Sequence, residues 1–195
     1  MNNKAKLSKT WWIIIGIAAL LVIYIIFAYN RFVTLDQNIN GKWSEVENQY
    51  QRQADLIPNF VSSVSSQVGV ETKFVKDVID ARTRWMDATS QYDKDKAGVQ
   101  MSNGVNAFVN AVAENYPSLL ASEGYTALRD EMAGTQNRIT VARGNYITAI
   151  QSYNTAILRF PAKLVAGMFG FTGKDYYTAE EGALTTPELG TGELP

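Results

Sequence analysis

Residues 11–29 have the sequence WWIIIGIAALLVIYIIFAY, in which no side chain carries a charge. As an α-helix this stretch is roughly 28 Å long, close to the thickness of the hydrocarbon core of a bilayer. Trp11 and Trp12 begin it and Tyr29 ends it, and amphipathic rings favour the two membrane interfaces. The stretch therefore predicts a transmembrane helix near the start of the chain, from which the rest of the fold extends.

Two other kinds of apolar segment are alternatives to a membrane anchor. A cleavable signal peptide has an apolar stretch of about 7–15 residues followed by a small-x-small cleavage site. This stretch is longer, and Phe27–Asn30 contains no such site. A buried core helix is rarely apolar on all sides over this length. We therefore expect the segment to stay in the mature protein.

Basic residues flank the anchor unevenly. Lys4, Lys6 and Lys9 precede it without an acidic residue among them, whereas Arg31 and Lys42 follow it among several acids. Basic residues near a transmembrane helix favour the cytoplasmic side. The sequence thus predicts a single-pass protein of the cell membrane, with its N-terminus in the cytoplasm and its remaining domain outside.

Beyond the anchor, apolar residues recur at spacings of three and four, which is the period of one helix face. The first stripe continues without a proline as far as Pro58, which is expected to close that helix or open the next. Tyr92–Gly98 is polar and is expected to be a connection, and Asn115–Ser118 ends a third helix. The four stripes are Phe32–Ile57, Phe60–Met86 with an extension to about Gln91, Met101–Val112 and Tyr125–Ala156.

These stripes predict an all-α fold, in which an N-terminal transmembrane helix precedes an antiparallel up-and-down four-helix bundle. The fourth stripe keeps a seven-residue period, which favours shallow, coiled-coil-like packing. The C-terminal end is poor in bulky aliphatic residues, which is typical of disorder. The expected divisions are a basic segment (1–10), the transmembrane helix (11–29), the bundle (30–160), an apolar membrane-proximal segment (161–175) and a disordered acidic tail (176–195).

An antiparallel fourth helix must return toward the membrane, so the segment that follows it is expected near the lipid surface. One interpretation is that this segment caps the bottom of the bundle core. The other is that it contacts lipid or a membrane partner at the interface. The candidate membrane-proximal contacts are Phe160, Leu164, Met168, Phe169 and Phe171.

Composition excludes several kinds of chemistry. The chain has no cysteine and no histidine, so thiolate catalysis, cysteine metal sites and the commonest general base are absent. A formal net charge of −1 gives no basic excess for binding nucleic acid. Nucleotide-binding, metalloprotease and hydrolase motifs are also missing. We therefore expect neither a cofactor nor a metal site, and no enzymatic activity.

A polar set interrupts the apolar stripes and is the candidate partner or ligand site. Buried polar groups need hydrogen-bond partners, and Asp55 is the expected counter-ion of Arg138 or Arg143. One interpretation is an interhelical network that fixes helix register. The alternative is a site for an anionic ligand or partner, or an enzymatic site around the same charges. The candidates are Asp55, Asn59, Gln136, Asn137, Arg138 and Arg143.

An ordered set of short strings resembles the LemA family of bacterial and archaeal membrane proteins. The resemblance spans residues 11–177 and implies a four-helix bundle behind an N-terminal membrane helix. The family's molecular function is not established; some relatives resemble magnetosome-membrane components, and others are encoded near membrane metalloproteases or TPM-domain proteins. The strings are Tyr29-Asn30, Asp55–Asn59, Thr135–Ile139, Ala142-Arg143, Tyr146, Tyr153-Asn154, Phe160-Pro161 and Leu164–Phe171.

Two positions depart from the family pattern, which usually has arginine where Gln53 stands and glutamate where Gln136 stands. If the two positions face each other, an ion pair has become a hydrogen bond between two amides.

Taken together, the predicted architecture and the resemblance lead us to expect a membrane-anchored scaffold or adaptor for membrane-protein partners in the prokaryotic envelope, in assembly or quality control. A membrane metalloprotease or a TPM-domain protein is the partner that the resemblance suggests. The lipid bilayer is a further partner, self-association stays open, and a membrane-shaping module is the remaining alternative.

Overall fold

The computed structural model describes residues 9–66 and 72–176, except for the side chain of Thr72. Every regular element in this part of the chain is helical, so the all-α prediction is confirmed. Of the expected basic segment, only Lys9 and Thr10 are among the described residues. Of the expected acidic tail, only Tyr176 is. The helices are α1 (Lys9–Ser65), α2 (Thr72–Asp87), α3 (Gln91–Asn115), α4 (Glu123–Leu158) and α5 (Ala162–Phe169), with a 3₁₀ turn at Pro117–Ala121.

Helix α1 contains the apolar stretch and continues from it into the bundle. It has 57 residues and is therefore roughly 85 Å long. Within residues 11–29 the side chains are exposed, apart from half-buried Ile25 and buried Ala28. By length and composition α1 qualifies as a membrane-crossing helix, and the exposed apolar surface is what lipid would cover.

Helix α1 does not end at Pro58, so the prediction of a helix boundary there is wrong. Proline has no N–H to donate to the carbonyl four residues earlier, which here belongs to Ala54. Nε of Arg82 in α2 donates to that carbonyl oxygen at 2.7 Å. A side chain from another helix thus replaces the missing backbone hydrogen bond, and α1 runs on to Ser65.

Helices α1 and α4 form the long axis of the bundle and run antiparallel. Phe60 stacks on Tyr125 with ring centroids 5.5 Å apart, and Trp43 packs on Tyr146 at 5.5 Å. Helices α2 and α3 form a hairpin against the membrane-distal half, where Phe108 contacts Phe60. The four helices alternate in direction, as the up-and-down prediction requires.

The second predicted stripe mixes two helices. Phe60 and Val64 belong to α1, and Val68 lies outside the described residues. Met86, which was expected to face the core, is exposed. The buried side chains of α2 are instead Val78, Ala81 and Trp85.

Helix α3 begins well before the predicted position, because Tyr92–Gly98 is helical and not a connection. Ser90 caps the helix: its Oγ accepts a hydrogen bond from the backbone N–H of Asp93 at 3.0 Å. A Ser followed three residues later by an acid is a helix-start signature. The extra turns bring Asp95 and Gly98 into the core.

The membrane-proximal end is closed by α5 and the segment after it. Gly170 adopts a left-handed conformation with φ 75°, which ends α5 and turns the chain back onto the bundle. Asn154 of α4 then holds Lys174 by two hydrogen bonds: its Nδ2 donates to the carbonyl at 2.7 Å, and its Oδ1 accepts from the backbone N–H at 2.8 Å. Nζ of Lys174 also lies 2.9 Å from Oδ1 of Asp36.

Candidate functional site

A cleft lined by both polar and apolar side chains opens between α3 and α4, with Tyr50 of α1 beneath it. We refer to it as the α3–α4 cleft; its volume is about 370 Å³. It includes two of the predicted site residues, Gln136 and Arg143. The polar residues that line it are Tyr50, Ser102, Asn103, Gln136, Thr140 and Arg143.

An ion pair joins α3 to α4 beside this cleft. Nη2 of Arg143 donates to Oδ2 of Asp95 at 3.0 Å. Burial raises the pKa of the Asp95 carboxyl above its ordinary value of 3.8, although Arg143 acts in the opposite direction. Asp55 was the expected partner of Arg143 and that prediction is wrong, because the early start of α3 supplies a buried carboxylate in its place.

Tyr50 brings a buried hydroxyl to the same cleft. Its Oη forms no hydrogen bond of normal geometry within the described residues, although the guanidinium of Arg143 is close enough to interact with it. Burial raises the pKa of this phenol well above its ordinary range, while the guanidinium of Arg143 lowers it and the carboxylate of Asp95 raises it. Tyr50 therefore stays protonated at neutral pH and can donate a hydrogen bond to a water molecule or a ligand.

The predicted pairing of two glutamines across α1 and α4 is confirmed. Nε2 of Gln53 donates to Oε1 of Gln136 at 2.9 Å, and Oε1 of Gln53 accepts from Oγ of Ser102 at 2.8 Å. Gln53 is fully buried, so both polar ends of its amide are satisfied inside the core. The network links three helices, and a shift of register would leave these groups unpaired.

Asp55 and Arg138 are not brought together. Gln53 lies opposite Gln136 and Phe60 opposite Tyr125, so Asp55 is level with about residue 133. Arg138 is then about five residues, or roughly 8 Å, nearer the membrane. Asp55 accepts from Nε2 of Gln51 at 2.8 Å, whereas Arg138 lies 3.6 Å from Glu131. Asp55 is therefore the counter-ion of neither predicted arginine.

Asn137 and Arg138 belong to a second surface, on the side of α1 and α4 that faces away from the cleft. We call this shallow depression the outer face. Both residues are exposed, as is Val141 one turn further along α4. Oε1 of Gln49 is buried here without a partner among the described residues. The outer face is lined by Glu45, Asn48, Gln49, Asn137, Arg138, Val141, Ala142 and Asn145. The remaining candidate, Asn59, is exposed elsewhere on α1.

Helix α5 divides the candidate membrane-proximal contacts between its two faces. Leu164 and Met168 of α5 are 63% and 69% exposed and lie one turn apart, so they form one apolar stripe; Phe160, just before the helix, is 83% exposed. Phe171 packs against Phe32 at 5.2 Å, and Phe169 is half exposed and contacts Tyr29 at 5.0 Å. One face of this segment therefore caps the bundle, whereas contact of its open face with lipid or a membrane partner stays a prediction.

The described residues, 9–66 and 72–176, contain no group of three acidic side chains that could hold a metal ion. Asp95, the buried acid at the α3–α4 cleft, is already engaged with Arg143. The cleft thus offers hydrogen-bond donors and acceptors, and no free carboxylate pair lines it for acid–base catalysis.

Comparison with known proteins decides the family. The LemA family profile matches residues 42–189, which is most of the chain. This chain belongs to the LemA family. Magnetosome protein MamQ 2 of Paramagnetospirillum magneticum (strain AMB-1) is 23% identical over 199 residues, covering 88% of this chain and 73% of the relative. Magnetosome protein MamQ of Magnetospirillum gryphiswaldense has the same identity and coverage.

As a LemA-family chain with an apolar N-terminal helix, the protein is a membrane-associated helical protein. Sequence reasoning missed three features of its interior: the ion pair of Asp95, the buried hydroxyl of Tyr50 and the hydrogen bond from Arg82. Asp95 could have been found from the Ser90 cap, which makes Tyr92–Gly98 helical. Tyr50 was placed in the core, but the environment of its buried hydroxyl depends on neighbours that are distant in sequence. The Arg82 hydrogen bond to Ala54 has no local signal at all.

Proposed function

We propose that this LemA-family protein is a membrane-anchored scaffold that holds a rigid helical bundle at the membrane surface and binds other membrane proteins of the prokaryotic envelope. The observation that carries the proposal is the unbroken α1, Lys9–Ser65, which is at once the anchor and one side of the bundle. Because no linker separates the two parts, the bundle cannot swing freely relative to the anchor. A partner bound to the bundle would therefore be held at a fixed height and orientation.

The outer face of α1 and α4 is the surface that suits such a partner. The α2–α3 hairpin packs elsewhere, so this face is left open near mid-height of the bundle. Its side-chain amides both donate and accept hydrogen bonds, and exposed Val141 supplies an apolar contact. By family resemblance, a membrane metalloprotease or a TPM-domain protein is the partner we expect, in envelope assembly or quality control.

A second candidate function is a membrane-surface module, and the apolar stripe of α5 is the observation that favours it. A short helix with one buried and one exposed apolar face can lie in the headgroup region. A fluorophore on Met168→Cys in the full chain, reconstituted in nanodiscs, tests this function. A blue-shifted emission relative to the same label at Ser44→Cys supports contact with lipid, and equal emission at the two positions contradicts it.

Photocrosslinking in native membranes tests the scaffold role. A photoreactive amino acid is placed at Val141 or Asn48 on the outer face, with exposed Lys76 of α2 as the matched control. Mass spectrometry then identifies the adducts. We expect integral membrane proteins to be enriched at the two outer-face positions over the control. Equal adducts at all three positions, or adducts with the protein itself alone, contradict the proposal.

The expected topology needs a separate reporter, because crosslinking does not show which side the bundle faces. A C-terminal alkaline phosphatase fusion is active only outside the cytoplasm. We expect high activity for the full chain. High activity of a fluorescent reporter that matures in the cytoplasm, with an inactive phosphatase fusion, would reverse the orientation without affecting the anchor.

A further inference from the structure

A cleft lies where α1 leaves the predicted membrane span and meets the end of α4. We call it the junction cleft; its volume is about 420 Å³. It combines cationic and aromatic side chains from both sides of the predicted interface. The residues that line it are Tyr24, Phe27, Ala28, Arg31 and Phe32 of α1, Ala156 of α4, and Arg159, Phe160 and Ala162 beyond it.

Arg31 and Arg159 bring two positive charges to this cleft, and no acidic residue lines it. Neither guanidinium forms an ion pair within the described residues. Asp36, the next acid along α1, is engaged by Lys174 at 2.9 Å. Two guanidinium groups without an ionic partner in this part of the chain are suited to a phosphate, because each can donate a bidentate pair of hydrogen bonds.

The membrane side of the cleft is apolar. Phe27 is 72% exposed and lies four residues before Arg31, so it is on the same face of α1, one turn deeper in the predicted span. Tyr24 continues that face by a further turn. Phe160 stands opposite and is exposed as well. A ligand whose phosphate meets the arginines would therefore have its remaining part directed along aromatic rings into the lipid.

We propose that the junction cleft binds an anionic glycerophospholipid, with its phosphate between Arg31 and Arg159 and the start of an acyl chain against Tyr24 and Phe27. A free phosphate would contact the two guanidinium groups but not the rings of Tyr24 and Phe27. A lipid contacts both, and therefore fits the cleft better. The site rests on the membrane insertion of α1 but not on the scaffold role. A protein partner on the outer face and a lipid in the junction cleft can each be present without the other.

Native mass spectrometry of the full chain in detergent, titrated with phosphatidylglycerol or phosphatidylcholine, tests the site. Phosphatidylglycerol carries a net negative charge, whereas phosphatidylcholine has the same phosphate beside a cationic choline and so has no net charge. We expect phosphatidylglycerol to bind at least tenfold more tightly. The double variant Arg31→Gln, Arg159→Gln should lose about tenfold or more in phosphatidylglycerol affinity, since two exposed charge-assisted contacts worth severalfold each multiply to about that factor.

Arg84→Gln is the matched control, because Arg84 is an exposed arginine of α2 that lies outside the cleft. It removes one positive charge, as Arg159→Gln alone does, and should leave lipid binding unchanged. If the double variant loses helicity, Arg159→Gln alone tests the site at an exposed position beyond the end of α4, and a severalfold loss is expected. Unchanged phosphatidylglycerol affinity in a folded variant, or an equal loss in Arg84→Gln, overturns the proposal.

Inorganic phosphate distinguishes the two sources of the anion. At millimolar concentration it should not displace bound phosphatidylglycerol, because it lacks the chain that contacts Tyr24 and Phe27. Displacement at that concentration, with binding of phosphate itself lost in the double variant, would assign the cleft to a soluble phosphate and overturn the lipid proposal. Equal affinity for phosphatidylglycerol and phosphatidylcholine would also overturn it.

Discussion

At the scale of single residues, Gly98 of α3 lies directly against the ring of Tyr50. A Cβ on Gly98 would lie 2.6 Å from Cζ of Tyr50. Replacing a glycine by alanine inside a helix normally stabilises by about 1 kcal/mol. Here we expect Gly98→Ala to destabilise by about 2 kcal/mol, because the large ring cannot move without disturbing the packed core.

Denaturant unfolding of the full chain in detergent measures this effect, and Gly41→Ala is the control. Gly41 lies within α1, and no neighbouring group comes within 4 Å of the point that a Cβ there would occupy, so its replacement should stabilise. A Gly98→Ala protein that is as stable as Gly41→Ala would show that Tyr50 does not lie on Gly98.

The buried carboxyl of Asp95 predicts an unusual dependence of stability on pH. Because its pKa in the folded state is raised above the ordinary value of 3.8, the folded protein binds this proton more readily than the unfolded chain does. The contribution of Asp95 to the free energy of unfolding therefore rises as pH falls from 7 through the raised pKa of its carboxyl, and levels off below 3.8. Asp95→Asn removes that proton-binding group.

The measurement is the difference in unfolding free energy between the unmodified protein and Asp95→Asn across this range. We expect the difference to move in favour of the unmodified protein on acidification. The opposite trend would mean that the attraction of Arg143 outweighs burial and lowers the pKa of Asp95.

How much of the polar interior could be predicted depended on the helix boundaries. The pairing of Gln53 with Gln136 was suggested by the resemblance to the LemA family, whose pattern has opposite charges at these positions, and the structure brings the two side chains together. The pairing of Arg143 with Asp55 failed because Asp95 was assigned to a connection. An ion pair can be predicted only when both of its helices have been placed.

At the scale of helices, Pro58 within α1 shows that a helix boundary cannot be predicted from the local sequence alone. The carbonyl of Ala54 lacks its backbone donor and accepts from Arg82 instead. We expect Arg82→Ala to destabilise by about 2 kcal/mol, since a buried carbonyl is left unsatisfied. In a Pro58→Ala background the restored N–H can donate to that carbonyl, and the same substitution should cost at least about 1 kcal/mol less.

A double-mutant cycle with these two substitutions gives the coupling directly, because the packing lost with the Arg82 side chain occurs in both backgrounds and cancels. Strictly additive effects, within about 0.5 kcal/mol, would contradict the compensation.

The helix pattern also explains which elements the sequence predicted well. Helices α1 and α4 are long and periodic, and their stripes match the buried residues. Helices α2 and α3 are shorter, and their predicted boundaries were wrong because two local features pointed to different helix ends. Pro58 suggested a break that a distant arginine prevents, and the charges of Tyr92–Gly98 hid a helix start that Ser90 marks.

At the scale of the whole molecule, the chain is a rod that is apolar at one end and a filled bundle at the other. The return of α4 brings Arg159 to the same cleft as Arg31, so this end of the bundle carries basic and apolar groups side by side. From direction alone the sequence predicted that the segment after α4 returns toward the end of the anchor, but not that Arg159 lies beside Arg31. It did not predict the junction cleft, because the cleft depends on how α4 ends and how Phe160 is turned outward.

The central claim is that α1 crosses the bilayer and continues into the bundle as one uncut helix. The chain has no cysteine, so single spin labels at Ile15, Leu20 and Ile23, and at Asn40, Ser44 and Gln51, can be compared in the reconstituted protein. The measurement is the accessibility of each label to oxygen, which enters lipid, and to a water-soluble nickel complex. We predict oxygen-dominated accessibility at the first three positions and nickel-dominated accessibility at the last three. Loss of the first three labels from the mature protein, or nickel-dominated accessibility at all six positions, would contradict the account.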